Sequence, residues 1–171
     1  MFNKIIVPVD GSKPAEKALE HAINLAKSIS VNDSLNKIEI IMLFVIPELP
    51  AKLGIEPHRR SMKTGEVISF SEYVNEMYEL KRSNAIKLLY ARKKRYESYR
   101  IKDNDFILRD VLLSQDKSIS DTILEFAKKE KADLIVIGNI GLSGISKLKT
   151  LGSVSRSIAE KSSCPVLIVH Q

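Results

Sequence analysis

Five short runs of the chain are apolar on both of their faces: residues 3–9 (NKIIVPV), 37–46 (KIEIIMLFVI), 105–113 (DFILRDVLL), 133–137 (DLIVI) and 165–170 (PVLIVH). Strands with one wet face alternate polar and apolar positions, so runs without that alternation predict a parallel sheet covered on both sides. Helical periodicity fills the gaps between them. Ser12 can cap a first helix reaching about Ser30, with Ala15, Ala18, Leu19, Ala22, Ile23, Leu25 and Ala26 on one broad stripe. Ser69-Phe-Ser-Glu72 and Ser118-Ile-Ser-Asp121 have the spacing of capping boxes, opening helices to about Tyr99 and Glu130. A last helix is expected over 153–161. Five strands alternating with four helices imply right-handed crossovers and an α/β layer architecture in one domain. Residues 47–68 hold three prolines, two glycines and five basic side chains without periodicity, and read as an exposed, mobile loop insertion.

Composition narrows the class. The longest purely apolar stretch, 40–46, is far below the roughly 20 residues a membrane-crossing helix needs. The first apolar run is broken by Pro8 and Asp10, unlike the core of a signal peptide, so a cytoplasmic protein with no membrane partner is expected. One cysteine, Cys164, offers neither a disulfide nor a metal cluster and reads as core. The net charge of +6 is concentrated between Lys81 and Lys102, where nine Lys or Arg face one acid, Glu97. Tyr90, Tyr96 and Tyr99 interleave with these bases. Two readings stand: a stacking platform for nucleic acid, or a solvated helix face with Leu88 and Leu89 turned inward.

In open parallel sheets ligands sit at the carboxyl ends of the strands, where the strand order reverses. Two such ends carry unusual chemistry. Pro8-Val9-Asp10-Gly11-Ser12 follows the first strand; Gly138-Asn-Ile-Gly141-Leu-Ser-Gly144, continuing to Gly152-Ser153-Val154-Ser155, follows the fourth. Glycines admit a ligand close to the backbone, and a helix opening at Gly152-Ser153 presents first-turn amides and a dipole suited to phosphate. Asp10 is placed either to accept hydrogen bonds from a ribose or to close an Asx turn. No lysine separates Gly152 from Ser153 as a Walker loop would require, and no acids cluster as a metal centre would. No catalytic residue is assigned. His21, His58 and His170 fall on separate elements, and Lys147 or Lys149 could support at most a slow ATPase.

The runs IIVPVDGS at one end and DLIVIGNIGLSGISKLKTLGSVSRSIAEKSSCPVLIVH at the other resemble the universal stress protein family. The resemblance covers both ends and hardly touches 47–104. It implies a five-stranded parallel sheet of order 3-2-1-4-5, with strands one and four adjacent at the switch point. The ATP-binding branch carries Gly, two residues, Gly, nine residues, then Gly-Ser or Gly-Thr. Here ten residues (142–151) separate Gly141 from Gly152, an insertion that loop-closure entropy tolerates easily. The resemblance implies a nucleotide-binding regulator of the stress response that holds ATP, with or without Mg²⁺. Its adenine and ribose contacts would be Pro8, Val9, Asp10, Val45 and Gly138, and its phosphate contacts Gly141, Gly152, Ser153 and Val154. The family's usual glycine after strand three is replaced by Ser114-Gln115-Asp116. It also implies a homodimer through the last strand, Val166–Val169, acting on an unidentified protein partner. A branch of the same fold without nucleotide, working as a dimeric interaction module, is the alternative.

Overall fold

The computed structural model describes residues 3–30, 37–48, 58–98, 106–142 and 151–170. In chain order these form β1 (Lys4–Pro8), α1 (Lys13–Ser30), β2 (Ile38–Ile46), β3 (His58–Arg60), β4 (Val67–Ser69), α2 (Phe70–Glu97), β5 (Phe106–Ser114), α3 (Ile119–Glu130), β6 (Leu134–Gly138), α4 (Ser153–Lys161) and β7 (Val166–Val169). The main sheet runs β5-β2-β1-β6-β7, every pairing parallel. With β3 and β4 set aside, this is the expected order 3-2-1-4-5.

Successive residues of a strand point to opposite faces, and the sheet uses both. Ile5, Val7, Ile40 and Met42 pack beneath α1 and α2 with Ala18, Leu19 and Leu89. Ile6, Ile41, Leu43, Ile135 and Ile137 pack on the other face with Ile123 and Ala127 of α3 and Ile158 of α4. This two-sided burial is why the central strands β1, β2 and β6 read as near-continuous apolar runs, whereas the edge strand β5 admits Arg109 and Asp110 and exposes Ile107. Cys164 is only half-buried, resting at the margin of the second core rather than inside it.

The caps form where the sequence places them. The Ser69 side chain accepts from the Glu72 amide while Glu72 reaches back to the Ser69 amide at 2.9 Å. Ser118 accepts from the Asp121 amide at 3.0 Å and donates to its carboxylate. The Ser12 hydroxyl accepts from Ala15 N at 3.3 Å and starts α1.

The second half of the segment read as irregular is ordered as an antiparallel hairpin, pairing His58 with Ser69, Arg59 with Ile68 and Arg60 with Val67. Its turn is tied to α2: Ser61 Oγ donates to Glu76 at 2.7 Å and the Met62 amide donates to the same carboxylate at 2.9 Å. These bonds to the ionised form hold Glu76 below the usual carboxylate range. Residues 49–57 and 143–150 lie outside the described residues, as do Tyr99, Lys147 and Lys149.

Candidate functional site

The topology makes a crevice where the crossovers after β1 and β6 leave for opposite faces of the sheet. A cleft of about 490 Å³ opens there. Pro8, Val9, Asp10, Val45, Gly138, Gly141, Gly152, Ser153 and Val154, drawn from both ends of the chain, all line it. Its walls are mainly apolar, with Leu43, Ile123 and Ile137 among them, and Asp10, Ser12, Ser153 and Ser155 add polar groups.

Asp10 gives its two carboxylate oxygens different partners. Its Oδ1 accepts from Ser12 N at 2.9 Å, closing the Asx turn that leads into α1. Its Oδ2 accepts from Leu142 N at 2.9 Å, tying the loop after β1 to the loop after β6. Gly141 is what lets that second bond form, since a Cβ there would stand 2.7 Å from Oδ2.

The remaining glycines divide by role. A Cβ on Gly138 would lie 2.7 Å from the Pro14 carbonyl carbon and 2.9 Å from Ala15 N, so this glycine seats the start of α1 against β6. Gly152 has an ordinary φ of −63° and is the N-cap of α4, with no side-chain cap and no acid in the first turn. Its amide donates to Asn139 O at 2.8 Å, and Ser155 Oγ donates to the same carbonyl at 2.7 Å. These two bonds aim the start of α4 at the end of β6. The α4 N-terminus, with its partial positive charge, thus borders the cleft.

Two features of the cleft escaped sequence reasoning. Ile119 and Ile123, at the start of α3, form part of a wall; the Ser118 cap marked that helix start but not its direction. Ser114 and Gln115 do not line this cleft. They border a separate pocket of about 350 Å³ with Tyr78, Glu48 and Asn75, where Gln115 Oε1 accepts from Glu48 N at 3.0 Å.

The basic segment is sorted by the structure. Tyr96 is buried and its hydroxyl donates to Glu16 at 2.8 Å, which removes it from any stacking platform. Arg92 and Arg95 pair with the same Glu16, and Lys93 with Asp110. Among the described residues no three His, Cys, Asp or Glu side chains are grouped to hold a metal ion, and no helix is long and apolar enough to cross a membrane.

A sequence model described as the universal stress protein family matches residues 1–170. The chain is 31% identical over 171 residues to universal stress protein MJ0531 of Methanocaldococcus jannaschii, covering all of this chain and 84% of that one. Its fold superposes on the structure of MJ0577 from the same organism with a TM-score of 0.73 at 27% identity, over 100% of this chain and 97% of that one. A universal stress protein solved in complex with cAMP has the same fold, with a TM-score of 0.59 at 22% identity over 99% and 97% of the two chains.

Proposed function

Because the chain belongs to the universal stress protein family, we propose that it is a regulatory protein of the stress response that binds an adenine nucleotide, ATP with or without Mg²⁺, in the cleft at the β1–β6 switch point. The observation that carries this reading is that Asp10 and the uncapped first turn of α4 line one cleft between apolar walls. A nucleotide needs those three things in one place: an apolar slot for the base, an acceptor for the ribose, and amides with a positive helix end for the phosphates. The cleft volume of about 490 Å³ falls in the range of small-molecule sites. The cAMP held by one relative is an adenine nucleotide of the same chemical class.

In this reading Pro8, Val9 and Val45 flank the adenine, with the Gly138 backbone at the cleft floor. The ribose hydroxyls donate to Asp10, sharing or displacing the Leu142 amide on Oδ2. Gly141, Ser153 and Val154 present backbone donors to the phosphates, and Gly152, whose own amide is held by Asn139 O, lets them approach with no side chain in the way. The nucleotide is a bound signal, and the protein acts through a homodimer joined at β7, an edge strand of the sheet.

Isothermal titration calorimetry with ATP and Mg²⁺, AMP and cAMP tests the proposal. Binding is expected, and Asp10→Asn should weaken it about tenfold or more, the worth of one charge-assisted hydrogen bond. Absence of heat at millimolar nucleotide would overturn the reading and leave the dimeric interaction module in its place. Unchanged affinity in Asp10→Asn would overturn the ribose assignment.

A further inference from the structure

The solvent face of α2 carries chemistry that the cleft does not use, since no α2 residue lines the cleft. Its cations fall into two sets. Arg92, Lys93 and Arg95 pair with Glu16 and Asp110, fastening the helix to α1 and β5. Lys81, Arg82, Lys87 and Lys94 form no ion pair among the described residues, and the last three are exposed. Between those three stand Ile86 and Tyr90, 47% and 66% exposed. Positions 82, 86, 90 and 94 follow one another at intervals of four, so they form a single row along the helix, and Lys87 flanks it. The buried residues Ala85, Leu89 and Tyr96 lie outside that row.

We infer that this face docks a short acidic amphipathic helix of a partner protein. An apolar centre containing an exposed tyrosine, rimmed by cations without an acidic partner among the described residues, has the composition of a protein-binding hot spot and lacks its complementary charge. The row also has ends. Glu79 and Glu97 close it on either side, so the cationic stretch from Arg82 to Lys94 runs for about 18 Å, a little over three helical turns. A partner helix of that length fits between the glutamates. A nucleic-acid strand following α2 would carry its phosphates past one of them, and with Tyr96 buried only Tyr90 of the described tyrosines in this stretch is left to stack on.

Fluorescence anisotropy on the intact protein tests this. The probes are a labelled peptide of about 15 residues, with Leu and Phe on one face and Glu along both flanks, its scrambled isomer, and an oligothymidylate of similar length. The ordered peptide should bind more tightly than the scrambled one, and more weakly as salt rises. Lys87→Glu with Lys94→Glu, or Tyr90→Ser alone, should lower its affinity about tenfold or more while the melting temperature stays put. No peptide binding, equal binding of the scrambled peptide, or indifference to these variants overturns the inference. So does tighter binding of oligothymidylate that is lost in Lys87→Glu with Lys94→Glu, which would give the face to nucleic acid.

Discussion

Gly138 and Gly152 face the same cleft, yet substitution should separate them. A methyl group on Gly138 meets backbone and ring atoms of Pro14 at 2.7 Å, none of which can rotate away, so Gly138→Ala must lift α1 from β6. The expected cost is about 2–3 kcal/mol of unfolding free energy, the upper range for overpacking. At Gly152 the nearest atoms are at 3.4 Å and φ is ordinary, so Gly152→Ala should cost less than about 1 kcal/mol. Its effect should fall instead on nucleotide affinity, if the first turn of α4 takes the phosphates. Urea denaturation of both variants, with ATP titration of the second, checks this; a Gly138→Ala protein as stable as the parent would contradict the packing role. The sequence places these glycines at a strand end and a helix start, where they line the cleft. Which glycine serves the fold was not legible there, because the answer depends on Pro14, which is remote in sequence and crosses behind Gly138. Asp10 was ambiguous for the same reason: its Asx turn is local, whereas its bond to Leu142 spans 132 positions.

Helices α1 and α2 are joined by a charged clasp that no local pattern could reveal. Glu16 of α1 receives Arg92, Arg95 and the Tyr96 hydroxyl of α2. Burial first, and then the hydrogen bond to Glu16, push the Tyr96 hydroxyl well above the ordinary phenol range. A group whose value is raised on folding stabilises the fold below its unfolded value of about 10 and loses that contribution as pH climbs past it. Tyr96→Phe should therefore cost about 1 kcal/mol near neutral pH, the worth of one hydrogen bond. The difference should shrink and then reverse as the unfolded parent protein ionises. Urea midpoints of parent and variant at about pH 8 and about pH 11 measure this; parallel losses at both values would contradict it. The helix itself is legible in the sequence, since the Ser69 and Glu72 cap announces its start and no proline or glycine interrupts the 28 residues that follow. The hairpin at 58–69 was not read: three-residue strands are too short for a two-residue period to stand out from a Pro- and Gly-containing neighbourhood.

At the scale of the whole molecule, the main sheet ends in two different ways. β5 at one edge is nine residues long and leans on α2, whereas β7 at the other is four residues and exposes Leu167 at 41%. An apolar edge strand left open invites pairing with any other strand, and pairing with its own copy removes that hazard in a closed, two-fold manner. The proposed homodimer follows, and it gives a ligand bound in one cleft a second subunit to influence. Leu167→Lys tests it while sparing the fold, because the side chain already reaches solvent. In a two-fold pair the new charges would approach each other, and their desolvation and repulsion should break the dimer. Light scattering should give twice the 19.2 kDa chain mass for the parent protein and the single mass for the variant. Only the parent's melting temperature should rise with protein concentration, as mass action requires. A parent protein that stays monomeric at every concentration would remove β7 from the interface and leave nucleotide binding to be read within a single subunit.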